Sequence, residues 1–272
     1  RSGVEALSKI AVDLKVSIPV GKDSLSMRTK WSENNSDYEV SSPLSGVITA
    51  MAPVDDVTES VTPELNTSDD TSILLIKLNN KNRLAGSIFS EITETKYQHT
   101  PDIDDTEVFE KLFSGIQNLL KNKKILAMHD ISDGGLITTL LEMCFTKKVG
   151  MRMDLDDSSG VNEFLFSEEI GFAIQIKKNN LDEITNTLTN ENIYVKNIAE
   201  LIDGEKFSIF KNDSEIFSKA VIELEKNWRE TSHAIQSIRD NEEIANSELS
   251  LLDDRNFHGL KSLSLIHISE PT

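Results

Sequence analysis

Three oxygen-bearing side chains and two glycines fall within one short stretch, Asp130-Ile131-Ser132-Asp133-Gly134-Gly135. A carboxylate such as Asp130 suits a hard cation; magnesium takes oxygen ligands and usually shares them with the phosphates of a substrate. Ser132 adds a hydroxyl. Asp133 reads as a helix N-cap, and Gly134 and Gly135 leave backbone N–H groups open to close approach at the positive end of a helix, where phosphate oxygens bind. A capped strand-to-helix turn with no ligand would satisfy the same residues.

The elements that must position this turn are legible on either side of it. The apolar run 125–128 reads as the end of a buried strand, and 136–145 as a helix with apolar positions three and four apart. Upstream, the stripe of Val108, Phe109, Leu112, Phe113, Ile116, Leu119 and Leu120 predicts a helix from Thr106, closed by the basic stop Lys121-Asn122-Lys123-Lys124. The acidic run 102–105 lacks the glycine and distal glutamate of a calcium loop and reads as the solvated entry to that helix.

The chain opens with a helical stripe (Val4, Leu7, Ile10, Ala11, Leu14) that should pack inward, then a β-branched run, 16–20, broken by Pro19. Gly21-Lys22-Asp23-Ser24 follows. Glycine permits a tight path, lysine offers a point charge for phosphate, and Asp23 and Ser24 could orient it. The spacing is not that of a phosphate-binding P-loop, so a surface turn fits as well. Residues 28–38 read as a hairpin or exposed loop, 44–54 as a strand buried on both faces, and 55–70 as a linker between two lobes.

Further on, 72–78 is a strand ending in the turn 79–82, 150–154 is a strand, and 164–169 leads into a strand at 171–176. Glu168 and Glu169 are adjacent, so in extended chain they point to opposite sides and at most one faces a site. Residues 180–190 form an amphipathic helix, and 195–202 and 206–210 read as a hairpin turned by Asp203-Gly204. A helix at 216–237 carries Trp228 as packing and His233 as a surface residue. The mixture of strands and helices is α+β.

The formal charge of −18 argues against nucleic acid or an anionic membrane as partner. The single cysteine, Cys144, lies on an apolar helix face, cannot form an internal disulfide and reads as packing in a reducing compartment. No apolar run approaches the roughly 20 residues that span a bilayer and no signal peptide is visible, so a cytoplasmic location is expected. The chain begins at Arg1, already inside a helical pattern, which places the expected start upstream. Residues 263–272 match a translated sequencing adaptor; they are excluded from fold reasoning, and His267 with them.

Three segments together resemble the formylglycinamide ribonucleotide amidotransferase (phosphoribosylformylglycinamidine synthase) family: Ile18-Pro19-Val20-Gly21-Lys22-Asp23-Ser24-Leu25-Ser26-Met27, then His129 to Leu136 with Leu141-Glu142-Met143, and Leu165-Phe166-Ser167-Glu168-Glu169-Ile170-Gly171. They stand in the family's order at about its spacing. The resemblance implies one half of the aminoimidazole-ribonucleotide-synthetase type, the second of two in such enzymes: a truncated N-terminal α/β lobe (1–70), a C-terminal α+β lobe (71–237) and a linker (238–262) toward a glutaminase domain. It also implies an ATP-dependent carbon–nitrogen ligase of purine biosynthesis, converting formylglycinamide ribonucleotide to formylglycinamidine ribonucleotide with ammonia from glutamine.

Under that resemblance Asp130 matches a magnesium ligand and Ser132 a nucleotide contact, Gly134 and Gly135 belong to the same ATP/ADP turn, and the loop of Lys22, Asp23 and Ser24 faces the active-site cleft. The family's site in this half is auxiliary, holding nucleotide for structural reasons. Its other magnesium ligands and its glycine-rich loop are expected before Arg1, and the first repeat and glutaminase domain elsewhere in the same chain. This stretch by itself is therefore expected to be inactive and to bind magnesium-nucleotide weakly or not at all. The rival reading is a non-catalytic nucleotide-binding scaffold of the same fold.

Overall fold

The computed structural model describes residues 1–22, 27–43, 45–54, 56–156 and 160–254. The N-terminal segment supplies helix α1 (Ser2–Asp13) and a hairpin of β1 (Arg28–Glu33) with β2 (Ser36–Ser41). Its turn residues Asn34 and Asn35 have φ of 52° and 62°, the left-handed pair that a two-residue hairpin needs and asparagine tolerates. Two expectations fail here. The stripe of α1 buries nothing, and 45–54 forms no strand; Val47 is 98% and Met51 93% exposed, while Leu44 lies outside the described residues. An apolar strand needs a neighbour's backbone and a covering layer, and none of the described residues provides either.

The remaining elements are β3 (Thr71–Lys77), α2 (Ile88–Ile92), α3 (Thr106–Lys121), β4 (Ala127–Asp130), α4 (Gly135–Phe145), β5 (Gly150–Leu155), α5 (Val161–Phe166), β6 (Gly171–Lys177), α6 (Leu181–Thr189), β7 (Tyr194–Ile202), β8 (Lys206–Lys211), β9 (Ser214–Ala220), α7 (Val221–Arg239) and α8 (Glu242–Ser250). The seven strands form one sheet in the order β4-β6-β3-β7-β5-β8-β9, antiparallel except for the β5–β8 pair. Every residue of the central strand β3 is buried. Alternate side chains serve opposite faces: Ile73 and Leu75 join α4 and α5 (Leu136, Leu140, Phe164), while Leu74 and Ile76 join α3 and α6 (Leu112, Ile116, Ile184, Leu188). The fold is the expected α+β type, with a sheet covered on both sides.

Two assignments made from local signals are corrected. The strands β7 and β8 do not form a hairpin, because β5 lies between them, antiparallel to β7 and parallel to β8. The Asp203-Gly204 turn is an arch over that inserted strand. Gly150 enters beneath it, its N–H donating to the Gly204 carbonyl at 2.9 Å; a Cβ there would meet the Gly204 and Lys206 carbonyl oxygens at 2.9 Å. The true hairpin is β8–β9, turned at Asn212-Asp213 (φ 51° and 59°), so the helix expected from 216 starts at Val221.

The 55–70 stretch is anchored. Gln175, fully buried on β6, accepts from the Asn66 N–H at 2.7 Å and donates to the Asn66 carbonyl and Thr71 Oγ1, and Leu65 enters the core. Residues 242–250, within the expected linker 238–262, form α8 with Ala245 buried. Cys144 is buried packing as expected, and burial pushes its thiol up to about 12.

At the end of β3, Lys77 is 3% exposed, its ammonium donating to the Lys81 carbonyl (2.6 Å) and Asn82 Oδ1 (2.7 Å) near the face of Tyr194. Burial pushes this amine down from 10.5 to about 8, with Glu169 opposing and Arg83 and Lys196 adding to the shift. Between about pH 8 and 10.5 the unfolded chain holds a proton that the folded chain has released, so this site adds stability as pH rises. Urea denaturation of the parent and Lys77→Met across that range should show the parent gaining on the variant by about 3 kcal/mol. Parallel curves would rule out Lys77 as the titrating group.

Candidate functional site

Asp130 ends β4 with its carboxylate exposed, opposite Phe172 of β6. The chain then leaves the sheet: the Ile131 N–H donates to the Gly171 carbonyl at 2.9 Å, and Thr139 Oγ1 on α4 donates back to the Asp130 carbonyl at 3.0 Å. Asp130, Ser132, Gly134 and Gly135 are gathered on one turn, with Ser132 exposed. Lys22 belongs to the exposed N-terminal segment, and Asp23 and Ser24 lie outside the described residues.

The turn is built differently from the sequence expectation. Gly134, not Asp133, is the N-cap of α4, with φ of 85° and no side-chain cap. In that left-handed conformation its N–H reaches Glu168 Oε1 at 2.9 Å, and the Gly135 N–H returns to the Ser132 carbonyl at 2.9 Å. Both N–H groups expected to lie open to phosphate are thus engaged within the chain. Gly135 (φ 73°) is also a contact residue: a Cβ would lie 2.6 Å from the backbone carbon of Phe166 and 2.9 Å from the Leu165 carbonyl oxygen.

The neighbouring glutamates diverge, as their adjacency requires. Glu168 Oε1 also accepts the Ile88 N–H at 2.9 Å, tying the start of α2 to the start of α4. Glu169, 2% exposed, accepts three bonds from Arg83: from its N–H (3.0 Å), Nε (2.6 Å) and Nη2 (2.7 Å). That hydrogen-bonded pairing pushes the Arg83 guanidinium further up from its ordinary range. Asp104 closes the cluster against Lys81 (2.9 Å) and Arg83, and the Lys81 hydrogen bond holds its carboxyl down. The 102–105 run therefore does more than enter α3, although Asp105 is the N-cap of that helix.

Among the described residues no three His, Cys, Asp or Glu side chains converge on a point that could hold a metal. The exposed carboxylates of Asp130 and Asp133, with the Ser132 hydroxyl between them in sequence, fit a magnesium ion that arrives with a phosphate-bearing ligand, rather than one caged by the protein. Two surface hollows, of about 300 Å³ between α3 and α6 and about 440 Å³ beside residues 78–80, are not lined by the turn. No helix among the described residues is long and apolar enough to cross a membrane.

The family model described as "AIR synthase related protein, C-terminal domain" matches residues 70–212, more than half of the chain. The chain belongs to the AIR synthase related family. The described "FGAR-AT PurM_N-like domain" matches residues 2–53, in front of it. Among solved structures, Thermotoga maritima PurL complexed with ATP is similar at a TM-score of 0.50 and 14% identity, over 61% of this chain and 27% of that one. The same organism's PurL complexed with FGAR gives 0.51 and 13%, over 62% of this chain and 30% of that one. These likenesses concern the fold, and this AIR synthase relative spans under a third of the PurL chains' length.

Two substitutions test how the turn is held. Gly135→Ala should destabilise by about 3 kcal/mol or more, since it combines an unfavourable φ with a backbone clash. Glu168→Ala should cost about 2 kcal/mol through two lost charge-assisted bonds. Urea midpoints that match the parent's for both variants would contradict this account.

Proposed function

We propose that this chain forms part of an ATP- and glutamine-dependent carbon–nitrogen ligase that converts formylglycinamide ribonucleotide to formylglycinamidine ribonucleotide, and that its 130–135 turn meets magnesium-nucleotide. The observation that carries the reading is the ordered pair of family matches, the FGAR-AT type over 2–53 followed by the AIR synthase type over 70–212. Solved PurL relatives of the same fold are complexes with ATP, ADP and FGAR, and one is a PurLQS assembly. The exposed apolar side chains Val47, Ile48 and Met51 are what a lobe awaiting another lobe would present, in keeping with a first repeat and a glutaminase domain in the complete enzyme.

Asp130 would hold magnesium, Ser132 would contact nucleotide, and the turn backbone at Gly134 and Gly135 would line the approach; Lys22, Asp23 and Ser24 are proposed as further cofactor contacts on the family resemblance alone. Bound magnesium would supply neutralisation of phosphate charge. With no cluster of three or more ligating side chains among the described residues, the chain's own affinity is weak, and turnover needs the rest of the enzyme. The scaffold reading, nucleotide held without turnover, draws support from the Glu168–Gly134 bond, which uses a helix N-terminus for structure.

A full-length transcript read tests the larger claim. Continuity with a first synthetase-like repeat and a cysteine-bearing glutaminase domain is expected; a message confined to this segment would remove the ligase reading. For the site, magnesium-ADP at millimolar concentration should raise the parent's melting temperature and leave Asp130→Asn unmoved. An equal rise in both would exclude Asp130 as the metal contact.

A further inference from the structure

His129 precedes Asp130 on β4, and its side chain, 18% exposed, turns toward α4. There its Nε2 lies 2.9 Å from Glu142 Oε2. The other oxygen of Glu142 accepts the indole N–H of Trp228, on α7, at 3.0 Å. The Trp228 ring packs on Phe145 of α4, centroids 5.8 Å apart. On its opposite side the imidazole presents Nδ1 to Asp130, 2.9 Å from the carbonyl oxygen and 3.3 Å from Oδ1. A line of polar contacts therefore runs from α7 through α4 to the Asp130 carboxylate of the turn.

The Asp130 side chain is 65% exposed, and a carboxylate in that setting samples several rotamers unless a neighbour selects one. His129 is such a neighbour, and it is itself held by a half-buried glutamate that is held by an indole. Groups that orient a metal-binding carboxylate in this way change metal affinity without touching the metal. We infer that His129 is a positioning residue for Asp130 in the binding of magnesium-nucleotide, with Glu142 and Trp228 fixing the imidazole. The inference rests on the reading above that Asp130 meets magnesium.

The test uses the ¹⁵N-labelled 272-residue chain with magnesium-ADP and with ADP alone, following the Trp228 indole N–H and the backbone amides of Ser132 and Gly134. Trp31, on the exposed hairpin, serves as the unmoved reference, and Trp228→Phe assigns the signals. Magnesium-ADP should shift both the turn amides and Trp228, and ADP alone should leave Trp228 in place. His129→Ala and Glu142→Ala should each weaken magnesium-ADP about tenfold while changing the affinity for ADP alone by no more than about twofold.

Movement of the turn amides without Trp228, together with parent-like binding by His129→Ala, would overturn the positioning role and leave the nucleotide reading intact. Equal losses with and without magnesium, accompanied by a lower urea midpoint, would assign the line a structural role and overturn the inference as well. Absence of any shift in the parent chain at millimolar magnesium-ADP would overturn this inference together with the weak binding proposed for the isolated chain.

Discussion

The buried contact between Glu169 and Arg83 sets the position of everything around the acidic turn. A carboxylate 2% exposed is costly unless it is paired and hydrogen-bonded, and here it receives the backbone N–H and two guanidinium N–H groups of one residue. Removing either partner of such a pair typically costs about 3–5 kcal/mol, because the other is left buried and uncompensated. The corner between α5 and β6 is thereby pinned to the loop after β3. From that fixed corner Glu168 reaches the first N–H groups of α2 and α4, and the backbone of Phe166 packs where only a glycine at 135 fits. The turn that carries Asp130 is thus placed from outside, by residues more than thirty positions away.

What the sequence made legible was the part governed by local periodicity. The helices α3, α4 and α6 and the strand β3 follow from apolar spacing alone, since each faces a core whose direction the spacing records. Residues 28–38 read as a hairpin or an exposed loop, and the structure resolves that choice as a hairpin turned at Asn34-Asn35, which tolerate positive φ. The failures share a different cause. Asp203-Gly204 has good hairpin chemistry, yet β5 inserts between the strands it joins, a non-local event for which the only local sign was a glycine at 150. The 45–54 run has the composition of a buried strand but no layer among the described residues to bury it. Composition states what a segment could cover, and only the fold decides what covers it.

The candidate site divides along the same line. The residue types of the turn were legible, and Asp130 does stand exposed at a strand end. The Gly134-Gly135 pair was read for phosphate, whereas the structure uses those N–H groups for Glu168 and the Ser132 carbonyl. The Glu168-Glu169 pair was recognised as words of a motif and as divergent, but its partners at 83, 88 and 134 could not be read from spacing. The line through His129, Glu142 and Trp228 joins a strand and two helices; its sequence trace is Glu142, the one charged residue of α4.

These contacts bear on why magnesium-nucleotide, rather than phosphate alone, is proposed for the turn. The positive end of α4 is already compensated by the Glu168 carboxylate, and Asp130 and Asp133 place further negative charge close by in sequence, in a chain of net charge −18. A bare phosphate approaching this surface meets carboxylates before it meets a free N–H at Gly134. A divalent cation reverses the sign of that encounter, because it can accept Asp130 on one side and phosphate oxygens on the other. The helix end then contributes stability to the turn, and on the proposed reading the attraction for a nucleotide would reside in the metal and in the orientation of the Asp130 carboxylate.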